Sequence, residues 1–226
     1  MPWFKDDYQR FFPSLTWQAA PQIPRVLDET PAGARIADLG AGGRRIRPDV
    51  ICVDFVPFDG TSVVGDVQRL PFSDGTLDLV VGTGLLEHVE DDRALLAETF
   101  RVLRPGGRAH FEMPFLQQYH DDPIDCRRFT VDGLERALRR EGLEPEVAGV
   151  HIGPTVTLIT LSTYYIALWL EGRSKVMRAL STGAFLASSI LLWPAKFLDR
   201  FLVGRRSAHR LAFGIYATAR KPDAPR

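Results

Sequence analysis

Four groups of residues in the first half of the chain have the types and the spacing to hold a nucleotide-like ligand. Asp38-Leu39-Gly40-Ala41-Gly42-Gly43 follows a short apolar run, Asp54 ends the next run, Asp66-Val67 follows a third, and Gly82-Thr83-Gly84 closes a fourth. Glycines let a backbone approach a ligand closely and leave N–H groups to meet it. A carboxylate placed like Asp54 can accept both hydroxyls of a ribose. One placed like Asp66 can accept from an adenine amino group while Val67 packs the ring. Singly, each feature is weak: a Gly-rich turn is more often structural, and an Asp at a strand end is usually a turn residue. The ordered set is more specific, because separate elements must converge for it to act.

The elements that would position these groups alternate between strand and helix. Strands are expected at 34–39, 50–55, 62–66, 77–82, 108–114, 145–151 and 210–220, with helices over 91–103 and 131–141. The run LDLVVG is apolar on both faces, as suits a parallel strand covered on both sides. Asp91 and Asp92 suit a first helical turn, with Leu96, Phe100 and Leu103 on one face. Pro105-Gly106-Gly107 ends that helix and turns the chain. Thr130 can cap the next helix, with Leu134, Ala137 and Leu138 inward. The expected fold is a single α/β domain over 1–226 with a mostly parallel sheet and right-handed crossovers. Residues 1–30 form an aromatic- and Pro-rich lead-in. In such sheets ligands sit beyond the carboxyl ends of the central strands, where all four groups fall.

The stretch from ARIADLGAGG through VDF, VVGDVQRLPFSDGTLDLVV, LLEHVEDD, RVLRPGGRAHFEMPF and YHDDPIDCRRFTVDGLERAL resembles the class I S-adenosylmethionine (SAM) dependent methyltransferases, in the subgroup called methyltransferase type 11. The resemblance covers residues 34 to about 143, and LEHV, one helix before LRPGG, is its most specific part. It implies a Rossmann-like, mostly parallel seven-stranded sheet whose last strand is antiparallel, and SAM as cofactor. It places Asp38, Gly40 and Gly42 at the methionine end, Asp54 at the ribose, and Asp66 with Val67 at the adenine. Ala41, Phe55, Gly82 and Thr83 complete the implied cofactor set. Two departures stand out. Arg44 occupies the place of a third glycine, and only residues 43–49 separate the first two strands, where a parallel crossover needs a dozen or more. The first helix must be lost or cut to one turn, with Arg44 or Arg45 expected to reach the SAM carboxylate.

Methyl transfer from a sulfonium is an in-line displacement, so positioning dominates and an oxygen acceptor adds a general base. The candidates are His88 and the cluster His120, Asp121, Asp122, Asp125, Arg127 and Arg128, with His120 as base and Arg128 as an acceptor or lid contact. The plainer reading has Glu87 and His88 shaping a helix start and the Asp and Arg residues pairing in a solvated loop. DDPID has no established ligand spacing, so no metal is expected.

The chain has 226 residues, 45% apolar and 25% charged, and reads as globular. Its two cysteines form no disulfide framework or zinc set and suit a reducing, cytoplasmic setting. No signal peptide is expected from the N-terminal residues. Net charge is zero, but residues 1–170 hold 17 Lys and Arg against 25 Asp and Glu, while 171–226 hold 11 against 3. Between the sixth and seventh strands, residues 152–209 form an expected helical insertion containing two uncharged stretches, 152–170 and 179–195. Both are at the lower limit of a bilayer span. Basic residues in the turn between them disfavour a spanning hairpin. Ser181, Ser188 and Lys196 form a weak polar stripe. The insertion fits an anionic inner membrane surface, or a soluble cap or homodimer face.

These features point to methyl transfer to a small or lipid-linked acceptor, by O-methylation. The alternative is a non-catalytic SAM-fold scaffold that meets a membrane surface or a partner through 152–209. A dinucleotide oxidoreductase is excluded because its fingerprint needs glycine where Arg45 stands. No nucleic-acid partner is expected, because the aromatics in the basic tail sit in apolar runs.

Overall fold

A computed structural model of the chain describes residues 16–120 and 124–223. The first half of the expected lead-in, and Asp121, Asp122 and Pro123 of the acidic loop, lie outside the described residues. The described chain divides into two compact units. One comprises residues 21–115, 119–120, 124–151 and 214–223, and the other residues 16–20, 116–118 and 152–213.

Seven strands form one sheet: β1 (Ile36–Leu39), β2 (Ile51–Asp54), β3 (Val63–Val64), β4 (Leu77–Thr83), β5 (Leu103–Pro114), β6 (Glu144–Ile152) and β7 (Gly214–Arg220). Their order is β3-β2-β1-β4-β5-β7-β6. β1 lies parallel to β2 and β4, and β5 parallel to β4, while β7 runs antiparallel to β5 from Arg108↔Arg220 to Pro114↔Gly214. The expected Rossmann-like sheet with an antiparallel last strand is thus the observed one. β1 is buried along its length and β4 nearly so, as their unbroken apolar character requires.

No helix joins β1 to β2 among the described residues. The sheet face that a crossover helix would cover is covered instead by the short helix α1 (Ile23–Asp28). Its Val26 and Leu27 pack with Ile36, Val50, Leu79 and Val81, and Ile46 from the shortened crossover joins them. The expected irregular lead-in therefore has a structural task in its second half.

The helix α2 (Asp92–Val102) is capped by the Asp91 carboxylate, which accepts from the Ala94 N–H. It buries Leu95, Leu96, Thr99 and Val102, so its inward face differs from the expected Leu96, Phe100 and Leu103. Leu103 already belongs to β5. Pro105-Gly106-Gly107 does not end a helix but lies in a register shift of β5, where Leu77 pairs with Leu103 and Leu79 with Arg108. In α3 (Val131–Arg140), Thr130 caps by accepting from the Gly133 N–H, and Leu134, Ala137 and Leu138 are buried as expected.

The second unit is helical. In α4 (Pro154–Trp169) the first-turn amides of Thr155 and Val156 donate to the buried Asp199 carboxylate, which satisfies orphan donors at the helix start. α5 (Lys175–Leu192) folds back on α4: Ser181 Oγ donates to the Ala167 carbonyl, and the rings of Tyr164 and Phe185 meet edge to face. The expected polar stripe thus turns inward. Ser181 is buried, Ser188 bonds carbonyls of its own helix, and Lys196 is buried with its ammonium over the Trp193 ring. Burial pulls the Lys196 ammonium below the usual lysine range. Residues Lys175–Leu202 are long and apolar enough to cross a membrane by length and composition alone.

Candidate active site

β1 has β2 on one side and β4 on the other, so the strand order reverses here, and in open sheets ligands sit beyond the carboxyl ends at such a point. Leu39 of β1 pairs with Gly82 of β4, and Val53 of β2 with Leu39, which brings the first, second and fourth expected groups to one edge.

The glycine turn does not offer its amides freely. Those of Gly40 and Ala41 donate to the Val53 carbonyl at 2.9 and 3.3 Å, and that of Gly42 donates to Asp54 Oδ2 at 2.8 Å. The expectation of free N–H groups at these three residues is therefore corrected. With no helix to follow, the turn is tied to β2 instead. Gly42 has φ +57° and nothing within 4 Å of where a Cβ would stand, so it leaves open space. At Gly82 the requirement is close approach, since a Cβ would lie 2.8 Å from the Phe111 ring. The cause there is packing inside the sheet.

Asp38 is buried at the end of β1. Its Oδ2 meets Arg44 at 3.3 Å, and its Oδ1 has no hydrogen-bond partner. Burial pushes its carboxyl above the usual range, against the pull of Arg44. Arg45 is bound to the carbonyls of Pro48 and Gly60. Both arginines are thus engaged within the turn, and Arg45 braces it rather than projecting toward a ligand. Asp54 is also buried, and its Oδ1 accepts from the Val56 N–H at 2.9 Å. The next residue, Phe55, is 79% exposed. Asp66 is exposed and accepts from the Gln68 N–H, with Val67 half-buried beside it. The Thr83 hydroxyl is buried without a partner at the end of β4.

A second group gathers after β4. Glu87 and His88 lie in a single 3-10 turn, Leu86–His88, and His120 comes from the segment after β5. The rings of His88 and His120 meet edge to face at 4.9 Å. Glu87 Oε1 lies 3.8 Å from His88 Nε2 and 4.0 Å from His120 Nε2. Glu87 is buried, its Oε2 has no partner, and burial pushes its carboxyl above the usual range. His88 Nδ1 meets the Ile124 carbonyl. Asp125 holds the Arg128 guanidinium on both oxygens, one at 2.6 Å, and accepts from the His120 N–H at 2.9 Å. Arg127 reaches Asp92 and the Glu90 carbonyl, which ties the segment to the start of α2.

The structure therefore brings His88 and His120 together, as two of the expected catalytic residues, and sets Arg128 behind them as a brace. The residue at the centre is Glu87, which sequence reasoning treated only as a helix-start residue. Its signal was already present, since it belongs to the most specific run, LEHV.

Comparisons with known proteins agree with this architecture. Residues 44–111 match the family model described as a methyltransferase domain. The chain is 49% identical over 105 residues to an uncharacterized 37.1 kDa protein in transposon TN4556 of Streptomyces fradiae, covering 43% of this chain and 30% of that protein. It is 42% identical over 77 residues to demethylmenaquinone methyltransferase of Beutenbergia cavernae, covering 33% of this chain and 28% of the relative. In both cases the matched region spans less than a third of the relative. Among solved structures, the 1,6-didemethyltoxoflavin-N1-methyltransferase of Burkholderia thailandensis, with 1,6-didemethyltoxoflavin and S-adenosylhomocysteine bound, shares the fold. The TM-score is 0.54 at 18% identity, over 91% of this chain and 78% of that one.

Proposed function

We propose, from the match to a methyltransferase domain over residues 44–111 and the shared fold, that this chain transfers a methyl group from SAM to an oxygen of a small or lipid-linked acceptor. The observation that carries the reading is the strand-order reversal, at whose carboxyl ends stand buried Asp38 and Asp54 and the open space over Gly42. Asp38 Oδ1, buried and without a partner, fits a cationic donor such as the ammonium of the methionine moiety. Asp54 would hold the ribose hydroxyls, with Phe55 exposed beside it for an apolar face, and Asp66 with Val67 would meet the adenine. Bound there, SAM supplies an electrophilic methyl on a sulfonium.

The chain's own part is to position the acceptor and remove its proton. We assign the proton to His120, with His88 packed against its ring. Arg128 is a positioning residue that acts through Asp125, which fixes the His120 backbone. Titration calorimetry with SAM and S-adenosylhomocysteine tests the cofactor site. Both should bind the full chain, and Asp54→Asn should weaken binding about tenfold, the scale of one hydrogen bond to a charged group. Unchanged affinity in that variant would sink the assignment. SAM binding without turnover on any acceptor would favour the scaffold alternative.

The helical unit supports a second element of the reading, peripheral attachment to an anionic inner membrane surface from the cytoplasmic side. The turn from α4 to α5 exposes Trp169 (73%) and Val176 (68%) together with Arg173, Lys175 and Arg178. Apolar rings and cations at one tip match a headgroup interface. The relative that acts on demethylmenaquinone, by its name, makes a lipid-linked acceptor reasonable. Flotation with anionic liposomes at low salt should carry the protein upward, and Arg173, Lys175 and Arg178 changed to Glu should release it. No flotation would leave the soluble cap or the homodimer face, which sedimentation distinguishes.

A further inference from the structure

We infer that Arg44 selects the amino-acid end of the cofactor, its guanidinium taking the α-carboxylate of SAM while Asp38 Oδ1 takes the α-ammonium. The inference rests on the SAM reading above. It adds a residue that reads the carboxylate and so separates SAM from analogues that lack one.

The need for such a residue follows from the short link between β1 and β2. An amino-acid carboxylate needs N–H donors or positive charge, and a helix start with its unpaired amides would supply both. No helix joins β1 to β2 among the described residues. The amides of Gly40 and Ala41 are held by the Val53 carbonyl, that of Gly42 by Asp54, and that of Arg44 by the Ala41 carbonyl. The backbone of the turn therefore has little left to offer an anion, and the cation beside Asp38 is the Arg44 side chain.

That side chain is lightly engaged. Among the described residues its one hydrogen bond runs from Nη2 to Asp38 Oδ2 at 3.3 Å, where a charge-assisted contact usually measures about 2.7–2.9 Å. Arg45, by contrast, donates to two carbonyls at 3.0 and 2.9 Å. The Arg44 side chain is 46% exposed, so the rest of its planar donor fork is accessible to a second carboxylate. Its partner is answered on one side only, since Asp38 is wholly buried and Oδ1 has no partner. Burial outweighs the pull of Arg44 and holds the Asp38 carboxyl above its usual range, so the long contact leaves its negative charge undercompensated. A second cation at Oδ1 relieves that. The charge pattern also matches the ligand. An α-amino acid carries ammonium and carboxylate on one carbon, and Asp38 with Arg44 presents the opposite charges side by side. With the ammonium at Oδ1 and the carboxylate at Arg44, neighbouring charges alternate in sign.

Calorimetry on the full chain tests this with four ligands: SAM, S-adenosylhomocysteine, decarboxylated SAM and methylthioadenosine, which lacks the amino acid altogether. The unaltered chain should bind SAM about tenfold or more tighter than decarboxylated SAM, the scale of one hydrogen bond to a charged group. Arg44→Gln should weaken SAM and S-adenosylhomocysteine about tenfold. It should leave decarboxylated SAM and methylthioadenosine within about twofold, which also shows that the turn is intact. Unchanged affinity for SAM and S-adenosylhomocysteine in Arg44→Gln overturns the inference. So does tighter binding, which would make the guanidinium a competitor of the ammonium for Asp38. An equal loss for all four ligands overturns it too, because Arg44 would then only brace the turn. The comparison of SAM with decarboxylated SAM on the unaltered chain needs no variant, and equal affinities there are a further refutation. The two readings fail in different ways. If the unaltered chain binds none of the four ligands, the SAM reading falls and this inference with it. If it binds SAM and Arg44→Gln changes nothing, only this inference falls.

Discussion

Two buried glutamates, Glu87 and Glu112, each stand between two histidines, and they behave in opposite ways. Glu112 lies in the middle of β5, with His110 Nε2 3.4 Å from one oxygen and His151 Nδ1 3.4 Å from the other. His110 Nδ1 is in turn held by Thr218 Oγ1 at 2.8 Å. The neighbouring histidines outweigh burial and keep the Glu112 carboxyl below the usual range. At Glu87 burial wins, one oxygen has no partner, and the two histidines stand at 3.8 and 4.0 Å. The lesson is that burial and neighbouring histidines do not by themselves mark a site. Glu112 is a polar core whose two oxygens each face a histidine of the sheet, although His151 Nδ1 makes no hydrogen bond, whereas one Glu87 oxygen is desolvated without a partner, and that is where a ligand has something to gain.

Replacing each glutamate by glutamine gives the largest expected contrast. Glu112→Gln removes the carboxylate that His110 and His151 face, and should cost about 1–3 kcal/mol in urea unfolding. Glu87→Gln removes a desolvated carboxylate and should change stability by less than about 1 kcal/mol, in either direction. Equal losses in the two variants would erase the distinction.

Thr218→Val is a smaller step in the same core. It leaves the His110 ring nitrogen buried without its partner and should cost about 1–2 kcal/mol. A neutral result would mean that the His110 ring finds another acceptor inside the sheet.

The acid side of the stability profile sharpens the comparison further, with a slope of at most about 1.4 kcal/mol per pH unit for one proton. Burial holds His151 below its ordinary value of 6.5, so the unfolded chain takes up that proton first. Stability should therefore fall as pH drops below 6.5 toward the lowered folded value, and stay level above it. Glu112, held below 4.5, contributes stability above that value, and this is lost as pH falls through its folded pKa. His151→Gln should flatten the first of these steps. A profile that does not change in this variant would show that His151 is not its source.

Much of the fold was legible because its signals are local. β4 and β1 are apolar runs, Thr130 and Asp91 are capping residues, and each element announces itself within a few positions. The shortage of residues between the first two strands was legible too, by counting. What covers the exposed sheet face was not, since α1 fills it from an earlier part of the chain. Pro105-Gly106-Gly107 misled for a related reason, because a bulge inside β5 and a turn after a helix ask for the same residues. The polar stripe of the helical hairpin misled because Ser181 and Lys196 find partners only once α4, Trp193 and Phe197 are packed around them.

By itself, then, the sequence determined the class of fold, the order in which Asp38, Asp54 and Asp66 follow their strands, and the family that LEHV resembles. Strand pattern and turn chemistry act over a few residues, so they can be read in order along the chain. Only the tertiary structure decided which of those residues are already occupied and which are not. It bound the amides of the glycine turn to Val53 and Asp54, set Arg44 on Asp38, and left Glu87 buried with an oxygen unanswered between two histidines. The physical reason is that desolvation and hydrogen-bond satisfaction depend on the groups that arrive from distant parts of the chain. Glu87 and Glu112 look alike as letters, and their difference lies entirely in that company.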